Sequence, residues 1–130
     1  MGITHLWDTN TVIYYLQQQF PPRAESFIDQ LITQSNPAIS AITEIELLSW
    51  KAAKEADLKL IQNFIHDSWV FELDQSVKVA AAALRRTYAI KLADAVIGAT
   101  ALVFDLTLVT RNSEDFTRID KLKLINPWIQ

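Results

Sequence analysis

The stretch "ITHLWDTNTVIYYL", Ile3 to Leu16, changes character at a single residue. Before Asp8, the short apolar run 3–7 reads as a buried strand. After it, Val12, Ile13 and Leu16 recur at helical spacing over 9–19. An aspartate at a strand-to-helix exit has two uses. It can cap the helix that follows, or it can stand at the carboxyl edge of a sheet, where α/β domains bind their ligands. The pattern returns near the other end of the chain, in "TLVTRNSEDF", Thr107 to Phe116. There a strand-like run stops at Thr110 and is followed by Arg111, Asn112 and Asp115.

The segments between continue the alternation. "FPPR" at 20–23 closes one helix and opens the next, which runs to about 34 with Phe27, Leu31 and Ile28 as its inward candidates. "AIS" at 38–40 reads as a strand. A helix is expected from Thr43 to about Lys54, and another over 55–65 with Leu58, Ile61, Phe64 and Ile65 on its apolar side. "WVFEL" at 69–73 is strand-like, and Asp74 stands where it would cap a helix reaching about Tyr88. "LADAVIGATALVF" is helical, and "LKLI" at 122–125 suits a last strand. Strands separated by helices predict an α/β domain whose mostly parallel sheet is covered on both faces. With 130 residues and no linker or repeat, one domain over 1–130 is expected.

Composition narrows the chemistry. Half of the residues are hydrophobic, enough for a core, and cysteine is absent, which excludes disulfides, thiolate metal sites and cysteine nucleophiles. The net charge of −3 argues against a protein that coats nucleic acid through many phosphate contacts, but not against an enzyme touching a short segment. The N-terminal residues lack signal-peptide character, Leu6 stands where a myristoylation signal wants Ser or Thr, and no apolar run approaches a membrane span. A cytoplasmic protein without membrane attachment is the expectation.

Four acids draw the segments together: Asp8, Glu46, Asp94 and Asp115. Each has a structural reading. Asp8 or Asn10 can cap a helix, Thr43 with Glu46 fits a capping box, and Asn112 with Asp115 can cap a turn. Asp94 fits this least well, heading a helix whose small face (Ala95, Gly98, Ala99, Ala101) suits close approach to the sheet. A parallel sheet brings such element ends together. Four clustered carboxylates repel one another and call for a counter-charge. Mg²⁺ or Mn²⁺ accepts all-oxygen ligands, whereas His5 and His66 have no zinc-site spacing.

In order and spacing these segments resemble the PIN-domain nucleases, in particular the small ribonuclease toxins of the VapC type. The resemblance runs through "LWDTNTVI", "T-x-x-E-L" at Thr43 to Leu47, "LADAVIGATAL" and "TRNSEDF". It implies a three-layer PIN-like domain with a central, mostly parallel sheet flanked by helices. It also implies Asp8, Glu46, Asp94 and Asp115 as catalytic metal ligands, and Glu44 is read as a bystander. Asn10, Thr43, Thr110 and Asn112 would support them. Two departures are small: Trp7 replaces the usual Leu, and Phe104-Asp105 replaces a glycine-containing turn.

The implied activity is Mg²⁺- or Mn²⁺-dependent hydrolysis of RNA, with Arg111 as a phosphate contact or an ordinary salt-bridge partner. Arg85, Arg86 and Lys91 form the densest basic group, readable as a solvated helix end or an RNA-backbone contact. A cognate antitoxin and a homodimer follow from the resemblance. "VIYYLQQQF" and Trp50 offer aromatic surface for either, or core. Two other functions use the same residues: a non-catalytic binding module in which the acids are only caps, and a metal-dependent phosphoesterase acting on small substrates.

Overall fold

The computed structural model describes residues 2–51 and 53–129. Five strands are parallel wherever they pair: β1 (His5–Trp7), β2 (Ala38–Ser40), β3 (Trp69–Phe71), β4 (Thr107–Val109) and β5 (Lys123–Ile125). They form two hydrogen-bonded pieces, β1-β4-β5 and β2-β3, with β2 lying beside β1. The expected central sheet is therefore parallel but divided, and no ladder bonds join β1 to β2 among the described residues.

Strand alternation explains why both faces are covered. Leu6 and Leu108 enter one core with Ala38, while Trp7 and Val109 enter the other with Ile39. The first core is closed by α5 (Gln75–Thr87), α6 (Leu92–Val103) and the short α7 (Glu114–Thr117), through Val77, Leu84, Val96 and Phe116. The second is closed by α1 (Thr9–Leu16), α2 (Pro22–Gln34), α3 (Ala41–Leu48) and α4 (Glu55–Asp67), through Val12, Ile28, Leu47, Ile61 and Phe64. This is the three-layer α/β arrangement expected. Trp7, the departure in the first motif, is fully buried and packs edge-on to Tyr15 and tilted to Phe64, so it fills the core.

Several boundaries differ from the expectation. α3 stops at Leu48 instead of Lys54, with Ser49 as its C-cap and Trp50 packed against the second core. No Gly or Pro marks that stop, and Ala52, within the expected helix, lies outside the described residues. On α2 the buried residues are Ala24 and Ile28, with Phe27 and Leu31 half-buried beside them. Leu58, expected on the apolar side of α4, is 38% exposed. Gly98 faces Leu84, Ile119 and Phe116 rather than the sheet, and an added Cβ would meet their side chains no closer than 3.5 Å. Close packing of α6 against the sheet therefore does not require that glycine. In the turn before β4, Asp105 takes a φ of 54°, the left-handed conformation that favours glycine, and pairs with Lys123 at 2.9 Å.

Candidate functional site

Asp8 leaves β1 as the N-cap of α1, so the helix-cap reading holds for it. One carboxylate oxygen accepts the Thr11 backbone N–H at 2.8 Å, and the other accepts the Thr110 hydroxyl from the end of β4. The same side chain that starts a helix thus ties two parallel strand ends together. Asp8 is only 6% exposed. Burial pushes its carboxyl up, the bonds from Thr11 and Thr110 pull it back, and Glu46 raises it again. Thr110 is itself fixed by accepting the Asn112 backbone N–H at 3.1 Å.

Glu46 reaches the site from α3. Its carboxylate accepts the Thr9 hydroxyl at 2.6 Å, and Thr9 also contacts the Thr43 hydroxyl at 3.0 Å. A hydroxyl has one proton, and the carboxylate is the stronger acceptor, so Thr9 gives its proton to Glu46. These contacts join the start of α1 to the start of α3 and so align the ends of β1 and β2. The capping-box expectation for Thr43 is corrected here. Ser40 is the N-cap of α3, accepting the Thr43 N–H at 3.2 Å, and Thr43 lies inside the first turn. Glu46 is consequently free of capping duty.

Asp94 sits in the first turn of α6, half-buried, and caps nothing: Lys91 is the N-cap residue and no side chain closes that end. Its carboxyl is pushed above the ordinary 3.8, first by burial and then by Asp115, Asp8 and Glu46, with Lys91 offsetting part of the rise. Asp115, on α7, accepts the Asn112 side-chain amide at 2.8 Å, while Ser113 is the N-cap residue there. The four acids thus share one electrostatic neighbourhood, although they come from four elements. Among the described residues, no three carboxylate or imidazole groups converge into a ready coordination sphere. Three of the four carboxylates instead rest on neutral donors: Thr11 and Thr110 for Asp8, Thr9 for Glu46, Asn112 for Asp115.

Of the expected supporting residues, Thr43, Thr110 and Asn112 belong to this network. Asn10 is exposed and forms no hydrogen bond to any of the acids among the described residues; Thr9, its neighbour in D-T-N, occupies that position instead. Thr9, Thr11 and Ser40 were not singled out in the sequence, although each adjoins a residue that was. Glu44 takes no part. Arg111 is exposed and forms no ion pair among the described residues; its Nη1 donates to the Tyr14 hydroxyl at 3.0 Å. On the far side of Asp94, the Arg85 and Arg118 guanidinium groups donate to the Ile90 and Ala89 carbonyls, pinning the loop that leads into α6. His5 contacts Thr4 and Phe27, and exposed His66 contacts Asp67, so neither belongs to the acidic cluster.

A three-layer parallel α/β domain with acids gathered where strands give way to helices defines a class in which fold and site go together. The family model of the PIN domain matches residues 6–122, and the chain belongs to that family. Solved structures agree. A chain of the toxin–antitoxin complex from Klebsiella pneumoniae is 29% identical with a TM-score of 0.76, over 96% of this chain and 98% of that one. A chain of the DNA-bound VapBC from Salmonella typhimurium is 24% identical with a TM-score of 0.83, over 97% and 99%. A chain of FitAcB from Neisseria gonorrhoeae is 24% identical with a TM-score of 0.76, over 98% and 100%. Among functionally curated proteins, no match reaches significance.

Proposed function

We propose that this protein is a divalent-metal-dependent endoribonuclease acting as the toxin of a toxin–antitoxin pair, a single domain over 1–130. The observation that carries the reading is Asp94, a half-buried carboxylate that caps nothing among the described residues, with its carboxyl raised first by burial and then by three acids from three other segments. A helix-capping role explains Asp8, whereas Asp94 caps nothing among the described residues and is half-buried beside other acids, which weighs against a non-catalytic module.

The donor set fits Mg²⁺ or Mn²⁺, being all carboxylate oxygen with no imidazole or thiolate. Asp8, Asp94 and Asp115 would hold the ion, and Glu46 would complete the acidic pocket. When bound, the cation supplies an activated water and neutralises charge on the phosphate and the departing oxygen. The chain's own residues do the positioning. Thr11 and Thr110 lock the Asp8 rotamer from two directions, and Asn112 holds Asp115. Thr9 orients Glu46, which would act either as a ligand through water or by orienting the attacking water.

RNA as the substrate follows from the family resemblance, and assignment to the cytoplasm from the signal and span features of the sequence. A partner antitoxin is supported by the Klebsiella pneumoniae neighbour, which is a toxin–antitoxin complex. A homodimer belongs to the same reading. The deciding experiment incubates purified protein with RNA in Mg²⁺ or Mn²⁺, with and without EDTA. Cleavage that stops on chelation is expected, and full activity in EDTA refutes the mechanism. Phosphate release from nucleotides without oligonucleotide cleavage would identify a small-substrate phosphoesterase instead.

A further inference from the structure

Arg111 lies between Thr110, which holds Asp8, and Asn112, which holds Asp115, yet its guanidinium pairs with neither acid. It sits instead beside two rings. Its guanidinium carbon is 5.5 Å from the Tyr14 ring centroid and 5.9 Å from that of Trp128, within cation–π range. The Tyr14 hydroxyl takes one N–H. Trp128 is brought there by the chain after β5. Asn126 donates its amide to the Arg111 carbonyl at 3.0 Å and accepts the Trp128 backbone N–H at 2.9 Å. Trp128 then packs against Tyr14 and Phe20, with centroids at 5.4 and 5.1 Å. The segment 126–128 therefore grips Arg111 by its backbone and by its flat face.

Held there, Arg111 is exposed, and only one of its five N–H donors meets a protein acceptor among the described residues, so the fork is open to an anion. An RNA strand approaching four acids meets repulsion, so binding needs a cation held outside the cluster. We propose that Arg111 anchors a phosphate next to the scissile one, and that Tyr14 and Trp128 are positioning residues acting through it. This rests on the nuclease reading of the acidic end and names the group that holds its substrate.

The test measures RNA binding without cleavage. In an Asp94→Asn background in EDTA, anisotropy of a short fluorescein-labelled single-stranded RNA is followed across salt concentrations. Adding Arg111→Gln should weaken binding about tenfold, the loss of a charge-assisted contact. It should also reduce the log–log salt slope by about 0.7, one phosphate contact on a single strand. Tyr14→Phe and Trp128→Leu should weaken binding with the slope unchanged, because the charge remains and only its placement is lost. Arg111→Lys should keep the slope without restoring full affinity. Equal affinity and slope for Arg111→Gln, or no RNA binding by the Asp94→Asn parent, overturns the proposal. Cleavage by otherwise wild-type protein reports separately on the nuclease reading: Arg111-dependent binding without cleavage refutes that reading alone, and unchanged Arg111→Gln binding beside robust cleavage refutes the anchor alone.

Discussion

Replacing Asp94 with Asn separates function from fold at the position where the two readings of the acids diverge. The side chain keeps its shape and loses its charge. No cap and no hydrogen bond is sacrificed among the described residues. The charge loss acts on stability in two directions. Relief from partial burial of a charge and from three like charges, discounted for screening at a half-exposed site, amounts to about 1 kcal/mol together. Against it stands the lost attraction of a carboxylate to the α6 N-terminus, about 0.3–1 kcal/mol. The net lies between no change and a gain of about 0.7 kcal/mol, a rise in Tm of at most roughly 4 °C. Activity moves far more: substitutions merely adjoining a metal ligand cost about 10–100-fold, so the loss here should exceed about 100-fold. The assay pairs a thermal melt in EDTA with RNA cleavage at saturating Mg²⁺. Wild-type cleavage, or a Tm lowered by more than about 5 °C, would show that Asp94 is structural. The pH dependence supplies a second readout. A carboxyl raised by folding takes up its proton first in the folded state, so its contribution to stability is complete below the unfolded value near 3.8 and is lost as pH rises through the raised folded value. Metal-free wild-type protein should therefore gain stability on acidification through that window, and Asp94→Asn should gain less, Asp8 supplying the remainder.

Thr110→Val removes the hydroxyl that Asp8 accepts in a fully buried setting and strands a carboxylate oxygen. It should cost about 1.5–3 kcal/mol by chemical denaturation, a loss to be compared with the near-neutral Asp94→Asn. Gly98→Ala should raise stability by about 0.5–1 kcal/mol, since the new methyl meets side chains at ordinary contact distance and helix propensity improves. A lower Tm for Gly98→Ala would mean that the α5–α6–α7 contact is tighter than these distances indicate.

What was legible in the sequence is what strand alternation and motif order encode. Leu6 and Trp7, or Leu108 and Val109, predict by their adjacency a sheet buried on both faces, and the structure sends each pair to opposite cores. Asp8, Asp94 and Asp115 were visible because each stands near a change of period, and Glu46 through its T-x-x-E-L spacing. Less legible was the division of labour among hydroxyls. Ser40 and Thr43 are equally good caps by composition, and only the place where β2 ends makes Ser40 the cap and leaves Thr43 to Thr9. The end of α3 at Leu48 carries no breaker, and Trp50 just beyond it packs against a core assembled from distant segments. The Arg111 clamp is tertiary throughout, since nothing local to Arg111 predicts that Trp128 will cover it.

The way the acids are held has an energetic consequence. Asp8, Glu46 and Asp115 each rest on a hydroxyl, an amide or a backbone N–H, and none is paired with Lys or Arg among the described residues. Lys91 offsets only part of the rise at Asp94, and Arg111 is kept on its aromatic faces. Neutral donors fix carboxylate rotamers without cancelling their charge, so the fold bears an uncompensated negative field at one end. A salt bridge to Arg111 would compete with the proposed metal ion for the carboxylates. On that reading the aromatic clamp serves two ends at once: it keeps the arginine available for phosphate and keeps the acids available for metal. Binding of Mg²⁺ or Mn²⁺ to the folded state alone then returns the lost stability by mass action. The rise in Tm with added metal should be largest in wild-type protein and small in Asp94→Asn. An equal rise in both would mean that the ion binds elsewhere.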